Sequence, residues 1–264
     1  MAEQTLTDVP LLFEVVEDHI AVLRFNRPQA RNAIDGETAR AMSAAIRETE
    51  NNPAIRVVLL GSSNPGMFCA GADLKLVASG RIHELRPDDG GFAGLVDSIR
   101  AKPWIAMVDG PALGGGFEIC LACDMIVATP GSRFGLPEVK RGLMANAGGA
   151  HRVTRVLPSN VAVELVTTGE PLDAASAKHF GLINRLAEPE SLYAETLALA
   201  RHIVGNAPVS VRESLALARI SSDRTDADMR RISREAMQRV MASEDSKEGP
   251  LAFVEKRVPN WLGR

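Results

Sequence analysis

Short apolar runs alternate with helix-length stretches as far as about residue 159, and that alternation limits the fold more than any other property of the chain. Apolar runs at residues 11–16 and 19–25 precede a helix spanning about 36–51, whose first turn is capped by Asp35. Further strands are expected at 57–61, 104–108 and 124–128, with helices between them, one ending near Arg100. Strands alternating with helices give an α/β architecture. Beyond residue 159 the chain reads mostly as helix, over 160–168, 174–180, 191–204, 209–220, 226–241 and 247–256, interrupted by one short extended piece at 182–186. No low-complexity linker separates the two parts, so the helices are expected to pack onto the core or onto a neighbouring copy.

Three segments carry chemistry. Glu118 follows Ala112-Leu113-Gly114-Gly115-Gly116-Phe117 and lies in an otherwise apolar stretch, where an ionisable side chain is costly unless it has partners or a task. Glu138 closes Phe134-Gly135-Leu136-Pro137-Glu138, just after the strand at 124–128. Met67-Phe68-Cys69-Ala70-Gly71-Ala72-Asp73-Leu74-Lys75 follows the strand at 57–61 and a polar turn, at the start of a helix whose unpaired NH groups favour negative charge. Taken singly, a Gly-rich turn is most often a tight connection and a lone Glu is most often solvated. Two carboxyls facing one pocket, with NH donors nearby, are what proton transfer next to a carbonyl requires.

Other chemistries lack their residues. Gly114 and Gly116 would need a glycine at 119 to complete a dinucleotide fingerprint, and Ile119 stands there. Neither a Gly-Lys-Ser/Thr phosphate loop nor a Gly-x-Ser-x-Gly elbow is present. Cys120 and Cys123 have no second Cys or His pair nearby and read as core thiols, not a metal or redox site; Cys69 is not marked as a nucleophile. His151 follows Gly148-Gly149-Ala150 and could approach the pocket, although a solvated or capping histidine fits as well. A net charge of −3 gives no reason to expect nucleic acid. No apolar run reaches the ~20 residues that cross a bilayer, and residues 1–8 do not look like a signal peptide, so a cytoplasmic location is the default expectation.

Together these segments resemble the enoyl-CoA hydratase and isomerase family, the crotonase superfamily. The resemblance runs from Phe25-Asn26-Arg27-Pro28-Gln29-Ala30-Arg31-Asn32-Ala33-Ile34, through the Ala-Gly-Ala-Asp and Gly-Gly-Gly-Phe-Glu segments, to Lys247-Glu248-Gly249, Ala252-Phe253 and Lys256-Arg257. It implies a spiral of strand-strand-helix turns over residues 1–195, holding the CoA and acyl site, and a helical oligomerisation region over 196–264 that builds a homotrimer or a dimer of trimers. The amides of Ala72 and Gly115 match the family's oxyanion hole, and Glu118 and Glu138 match its two glutamates, one activating water and the other delivering a proton to the α-carbon. Coenzyme A, part of the substrate with no bound prosthetic group, is expected to lay its adenine against the backbone of Ala70, Gly71, Asp73 and Leu74 near Gly114, with its phosphates by Ala30 and Arg31. Residues 80–91 look like the mobile stretch bordering the acyl pocket, and Lys256 or Arg257 could reach a neighbouring subunit's ligand.

The implied activity is enoyl-CoA hydratase, the reversible addition of water to a trans-2-enoyl-CoA. Alternatives are an enoyl-CoA isomerase, another crotonase-type lyase such as a hydroxyacyl-CoA dehydratase, or an acyl-CoA binding protein with little turnover. The chain departs from well-studied hydratases after Gly142-Leu143, where Met144-Ala145-Asn146 replaces a segment commonly carrying Pro-Gly. Asn146 brings an amide that could bind a substrate oxygen, which admits branched, ring-bearing or hydroxylated acyl groups and the dehydration direction.

Overall fold

The computed structural model describes residues 9–87 and 90–264. Its elements run in chain order β1 (Leu11–Val16), β2 (Ile20–Phe25), α1 (Gly36–Asn51), β3 (Val57–Ser62), α2 (Leu74–Ala78), β4 (Trp104–Val108), β5 (Pro111–Leu113), α3 (Gly115–Ala122), β6 (Met125–Ala128), β7 (Arg133–Gly135), α4 (Gly149–Val156), α5 (Ser159–Thr168), β8 (Leu172–Asp173), α6 (Ala174–His179), β9 (Arg185–Leu186), α7 (Leu192–Val204), α8 (Pro208–Ile220), α9 (Asp226–Ala242) and α10 (Asp245–Glu255).

The central sheet has the order β1-β2-β3-β4-β6-β9. Only the β1–β2 hairpin is antiparallel; the pairings β2–β3, β3–β4, β4–β6 and β6–β9 are parallel. Buried parallel strands need apolar side chains on both faces, which is why Val57-Val58-Leu59-Leu60 and Trp104-Ile105-Ala106-Met107-Val108 are unbroken apolar runs and fully buried. One face packs on α1 and α3, with Phe25, Phe68, Phe117 and Trp104 in its core; the other packs on α7. A second sheet, β5-β7-β8, stands beside the first, with β5 parallel to β7.

The expected cap at Asp35 is present: its carboxylate accepts from Thr38 N at 2.8 Å and α1 begins at Gly36. At the far end of α1, the buried Lys102 ammonium donates to the carbonyls of Thr49 and Asn52, satisfying acceptors that a helix leaves open there.

The helix expected to end near Arg100 does not form. Residues 92–94 make a single tight turn in which Gly91, Ala93 and Gly94 all have positive φ, a conformation that cannot propagate a right-handed helix. The apolar run 92–96 instead lies as a folded wall, buried against α1. In the stretch 80–91, Ile82–Leu85 form a 3-10 turn with Leu85 buried and Arg81 paired to Glu84; Asp88 and Asp89 lie outside the described residues, as do residues 1–8. No helix among the described residues is long and apolar enough to cross a membrane.

Candidate active site

Glycine geometry brings the three sequence segments together. Cys69 bridges to Ala112 at the start of the second sheet, and Ile34 bridges to Ala72. Gly71 has φ of 92°, and a Cβ there would lie 2.7 Å from Leu113 O and 2.9 Å from Gly115 N. Any side chain at 71 would therefore separate the two strand ends. Gly116 packs its bare Cα directly on the Cys69 carbonyl, and Gly115 is covered by the Phe92 ring.

Most amides in this region are already engaged. Asp73 N donates to Ile34 O at 2.9 Å, Ala70 N to Arg31 O at 3.1 Å and Gly114 N to Gly135 O at 2.8 Å. Those of Ala72 and Gly115 make no hydrogen bond among the described residues, although they flank the same junction. Gly115 opens α3, so its NH sits at the positive end of the helix. Gly114, with φ of 54°, spends its own amide on the sheet and faces Glu138 instead: a Cβ at 114 would lie 3.0 Å from Glu138 Oε1.

Glu118 is 4 % exposed, in the first turn of α3. Its Oε1 accepts from Ala147 N at 2.7 Å, in the loop leading into α4, and from Gly149 N at 2.9 Å, the first residue of α4. Gly149 must be bare, because a Cβ would fall 2.9 Å from the Glu118 side chain. Burial pushes the Glu118 carboxyl from an ordinary 4.5 up to about 7; the negative charge of Glu138 pushes the same way, while the two amides and Arg152 oppose it. Glu138, in the 3-10 turn Pro137–Arg141, is likewise raised by burial, and its Oε2 is buried without a partner. The two carboxyls thus interact, and both titrate above the usual carboxylate range.

The expected coenzyme loop is held by a scaffold that the sequence reading did not identify. The Arg27 guanidinium pairs with Asp35 at 2.9 Å and approaches Asp73 at 3.6 Å, joining the caps of α1 and α2. Asn32 is 1 % exposed; its amide donates to Ser62 Oγ at 2.7 Å and Phe68 O at 2.9 Å and accepts from Arg27 N. Both residues lay inside the quoted 25–34 motif, and a buried Asn bridging distant loops leaves no signal in one sequence. Arg31 adopts a left-handed conformation with its side chain exposed, and Leu74 is half exposed at the start of α2. The Asp73 carboxylate caps Lys75 N.

Other candidates make no hydrogen bond to either carboxyl among the described residues. His151 and Asn146 are exposed. Cys69 and Cys120 are buried, and burial pushes the thiols of Cys69 and Cys123 up to about 12 and that of Cys120 well above its ordinary value, so all three stay protonated. Arg257 pairs with Glu248 and Glu255 of its own chain.

Two unengaged amides lie beside one buried and one half-buried carboxyl on an α/β scaffold, an arrangement that can move protons next to a carbonyl oxygen. The enoyl-CoA hydratase/isomerase family model matches residues 16–264, and the chain belongs to this family of acyl-CoA enzymes, whose crotonase fold it adopts. It is 38 % identical over 249 residues to a carnitinyl-CoA dehydratase of Salmonella arizonae, covering 92 % of this chain and 95 % of that protein. Among solved structures, an enoyl-CoA hydratase from Mycobacterium tuberculosis superposes with a TM-score of 0.92 at 37 % identity, covering 97 % of this chain and all of the other. A carnitinyl-CoA hydratase from Mycobacterium avium is 41 % identical with a TM-score of 0.75, covering 98 % and 100 %.

Proposed function

We propose that the protein is an acyl-CoA hydro-lyase that adds water to, or removes it from, the 2,3 bond of an acyl-CoA. The observation that carries this reading is the coupled pair Glu118 and Glu138 beside the unengaged amides of Ala72 and Gly115. In the hydration direction, ionised Glu118 takes a proton from water through the oxygen not held by Ala147 and Gly149. The water oxygen bonds to C3, and the C2–C3 π electrons shift to form an enolate of the thioester. Its oxygen is held by the Ala72 and Gly115 amides, a donor pair of which each member is worth ~3 kcal/mol of barrier. Protonated Glu138 gives its proton to C2, so one water is consumed, and transfer between the carboxyls restores the starting state. Dehydration reverses each step.

Coenzyme A would lie along Ala70 to Leu74, with Arg31 as a phosphate partner; the Ala70–Arg31 bond, which sets these two segments side by side, supports this reading. The names of the relatives favour a hydroxyacyl substrate bearing a polar group, and carnitinyl-CoA is the first such ester to try. Exposed apolar side chains on α9 and α10, including Met237, Met241, Phe253 and Val254, support assembly through the C-terminal helices into a trimer or paired trimers.

A panel of trans-2-enoyl-CoAs, 3-hydroxyacyl-CoAs and carnitinyl-CoA, followed by enoyl-thioester absorbance and product mass, tests the assignment. A gain or loss of one water that disappears in both Glu118→Gln and Glu138→Gln is expected. Substantial turnover by Glu118→Gln with none by Glu138→Gln would instead indicate double-bond migration, and no mass change across the panel would indicate binding alone.

A further inference from the structure

Glu118 is held by a loop, and that loop is held by a residue to which the proposed chemistry gives no part. Arg152, on the first turns of α4, donates from Nη1 to the carbonyl of Ala147, whose amide binds Glu118 Oε1. Its own amide donates to Gly148 O at 2.8 Å. Gly148 has φ of 98°, and the guanidinium fills the space a side chain there would take. At its other end, Nη2 donates to Val96 O at 2.6 Å and faces Asp97 at 3.4 Å. Val96 belongs to the folded wall that begins at Phe92, whose ring covers Gly115. One planar fork therefore ties the loop that binds the Glu118 carboxylate to the segment packed on one of the two free amides.

We propose that Arg152 is a positioning residue for the reaction, fixing the Glu118 carboxyl relative to Gly115 through the carbonyls of Ala147 and Val96 and setting a positive charge towards it. The inference rests on the hydro-lyase reading. An arginine suits the task because its donors diverge in one rigid plane; a lysine at 152 would keep the charge but could not span both carbonyls. The charged groups facing Glu118 are Glu138 from the 137–141 turn and Arg152 from α4, and Asp97 lies on the outer side of the guanidinium. Loss of the Arg152 charge leaves Glu118 with burial and Glu138, both of which disfavour ionisation.

The test uses Arg152→Lys, Arg152→Gln and Asp97→Asn in the full-length protein. For hydration, kcat is expected to fall roughly tenfold or more in both Arg152 variants with KM changed less, as befits misplacement of a catalytic group. The acidic limb of the kcat/KM profile should move to higher pH in Arg152→Gln only. Asp97→Asn, whose partner distance is long and whose side chain is exposed, should stay within about twofold. An unmoved pH limb together with kcat within twofold in both Arg152 variants overturns the proposal; if the glutamine variant does not fold, the lysine variant decides by kcat alone.

A second readout needs no turnover, so that failure of the hydro-lyase reading and failure of this proposal remain distinct. Glu118→Gln should raise the unfolding midpoint at pH 8 by roughly 2–4 °C more in the Arg152→Gln background, or in Arg152→Met if the former does not fold, than in the parent, with little extra gain at pH 5. Equal gains in both backgrounds at both pH values refute the electrostatic coupling even in a protein that turns over nothing.

Discussion

Replacing Glu118 with Gln should abolish catalysis and stabilise the fold, and the stabilisation should depend on pH. Burial holds the Glu118 proton up to about 7, against 4.5 for an ordinary glutamate, a difference worth about 3 kcal/mol. Between those values the folded protein keeps a proton that the unfolded chain has released, so stability falls as pH rises; the penalty is absent well below 4.5 and complete well above 7. Glutamine keeps an Oε1 that accepts from Ala147 and Gly149 but never pays the cost of ionising. With ~2.1 cal/mol/K of unfolding entropy per residue, 3 kcal/mol in a chain of 264 residues shifts the midpoint by about 5 °C. Thermal unfolding of wild type and Glu118→Gln should therefore differ by about 5 °C at pH 8 and by under about 2 °C at pH 5. The same variant should lose ~10²- to 10⁴-fold in turnover. Equal midpoint shifts at the two pH values, or a loss of stability at pH 8, would refute the claim that Glu118 is buried at an ionisation cost.

Gly71→Ala places a Cβ 2.7 Å from Leu113 O and 2.9 Å from Gly115 N at a φ of 92°; steady-state kinetics should show a loss of roughly 10²-fold or more in kcat/KM from displaced amides. Asn32→Leu strands the Arg27 amide and the Phe68 carbonyl, and chemical denaturation should show destabilisation of about 2–3 kcal/mol. Arg31→Ala removes an exposed guanidinium with no hydrogen-bond partner among the described residues, so calorimetric titration with an acyl-CoA should show roughly fivefold weaker binding and a shallower salt dependence, with kcat unchanged.

What was legible in the sequence follows from how local each signal is. The helix over 36–51 was readable to the residue because Asp35 and the amphipathic run behind it are contiguous, and the inner strands were readable because burial on both faces leaves an unbroken apolar run. The same reasoning failed ahead of Arg100, where a helix was expected but Gly91, Ala93 and Gly94 take positive φ. The second sheet was invisible: β5, β7 and β8 have two or three residues each, too few for a period to register. Yet β5 delivers Gly114 and Gly115, and β7 delivers Glu138. The sequence named both carboxyls through their flanking glycines and proline, but not the amides of Ala147 and Gly149, which come from 29 and 31 residues further along the chain.

The two carboxyls differ in the compensation each receives. Glu118 receives two backbone amides on one oxygen and faces the Arg152 charge, so its anion has compensation despite burial. Glu138 has an oxygen buried without any partner, and a carboxyl in that position is better satisfied holding a proton than bearing a charge. Burial nevertheless outweighs the compensation at Glu118: its carboxyl is carried up to about 7 with the Glu138 charge contributing, so the proton the pair still holds toward neutral pH rests on Glu118. Mutual repulsion strengthens the preference, because ionising one carboxyl raises the cost of ionising the other. In the proposed hydration the proton would end on Glu118 and the charge on Glu138, which is that same resting arrangement. The pair would therefore rest in the form from which a hydroxyacyl thioester can lose water, and hydration would first need the proton moved to Glu138. Adding a donor to the orphan oxygen of Glu138 would hold the resting proton more firmly on Glu118 and favour the dehydration-competent form.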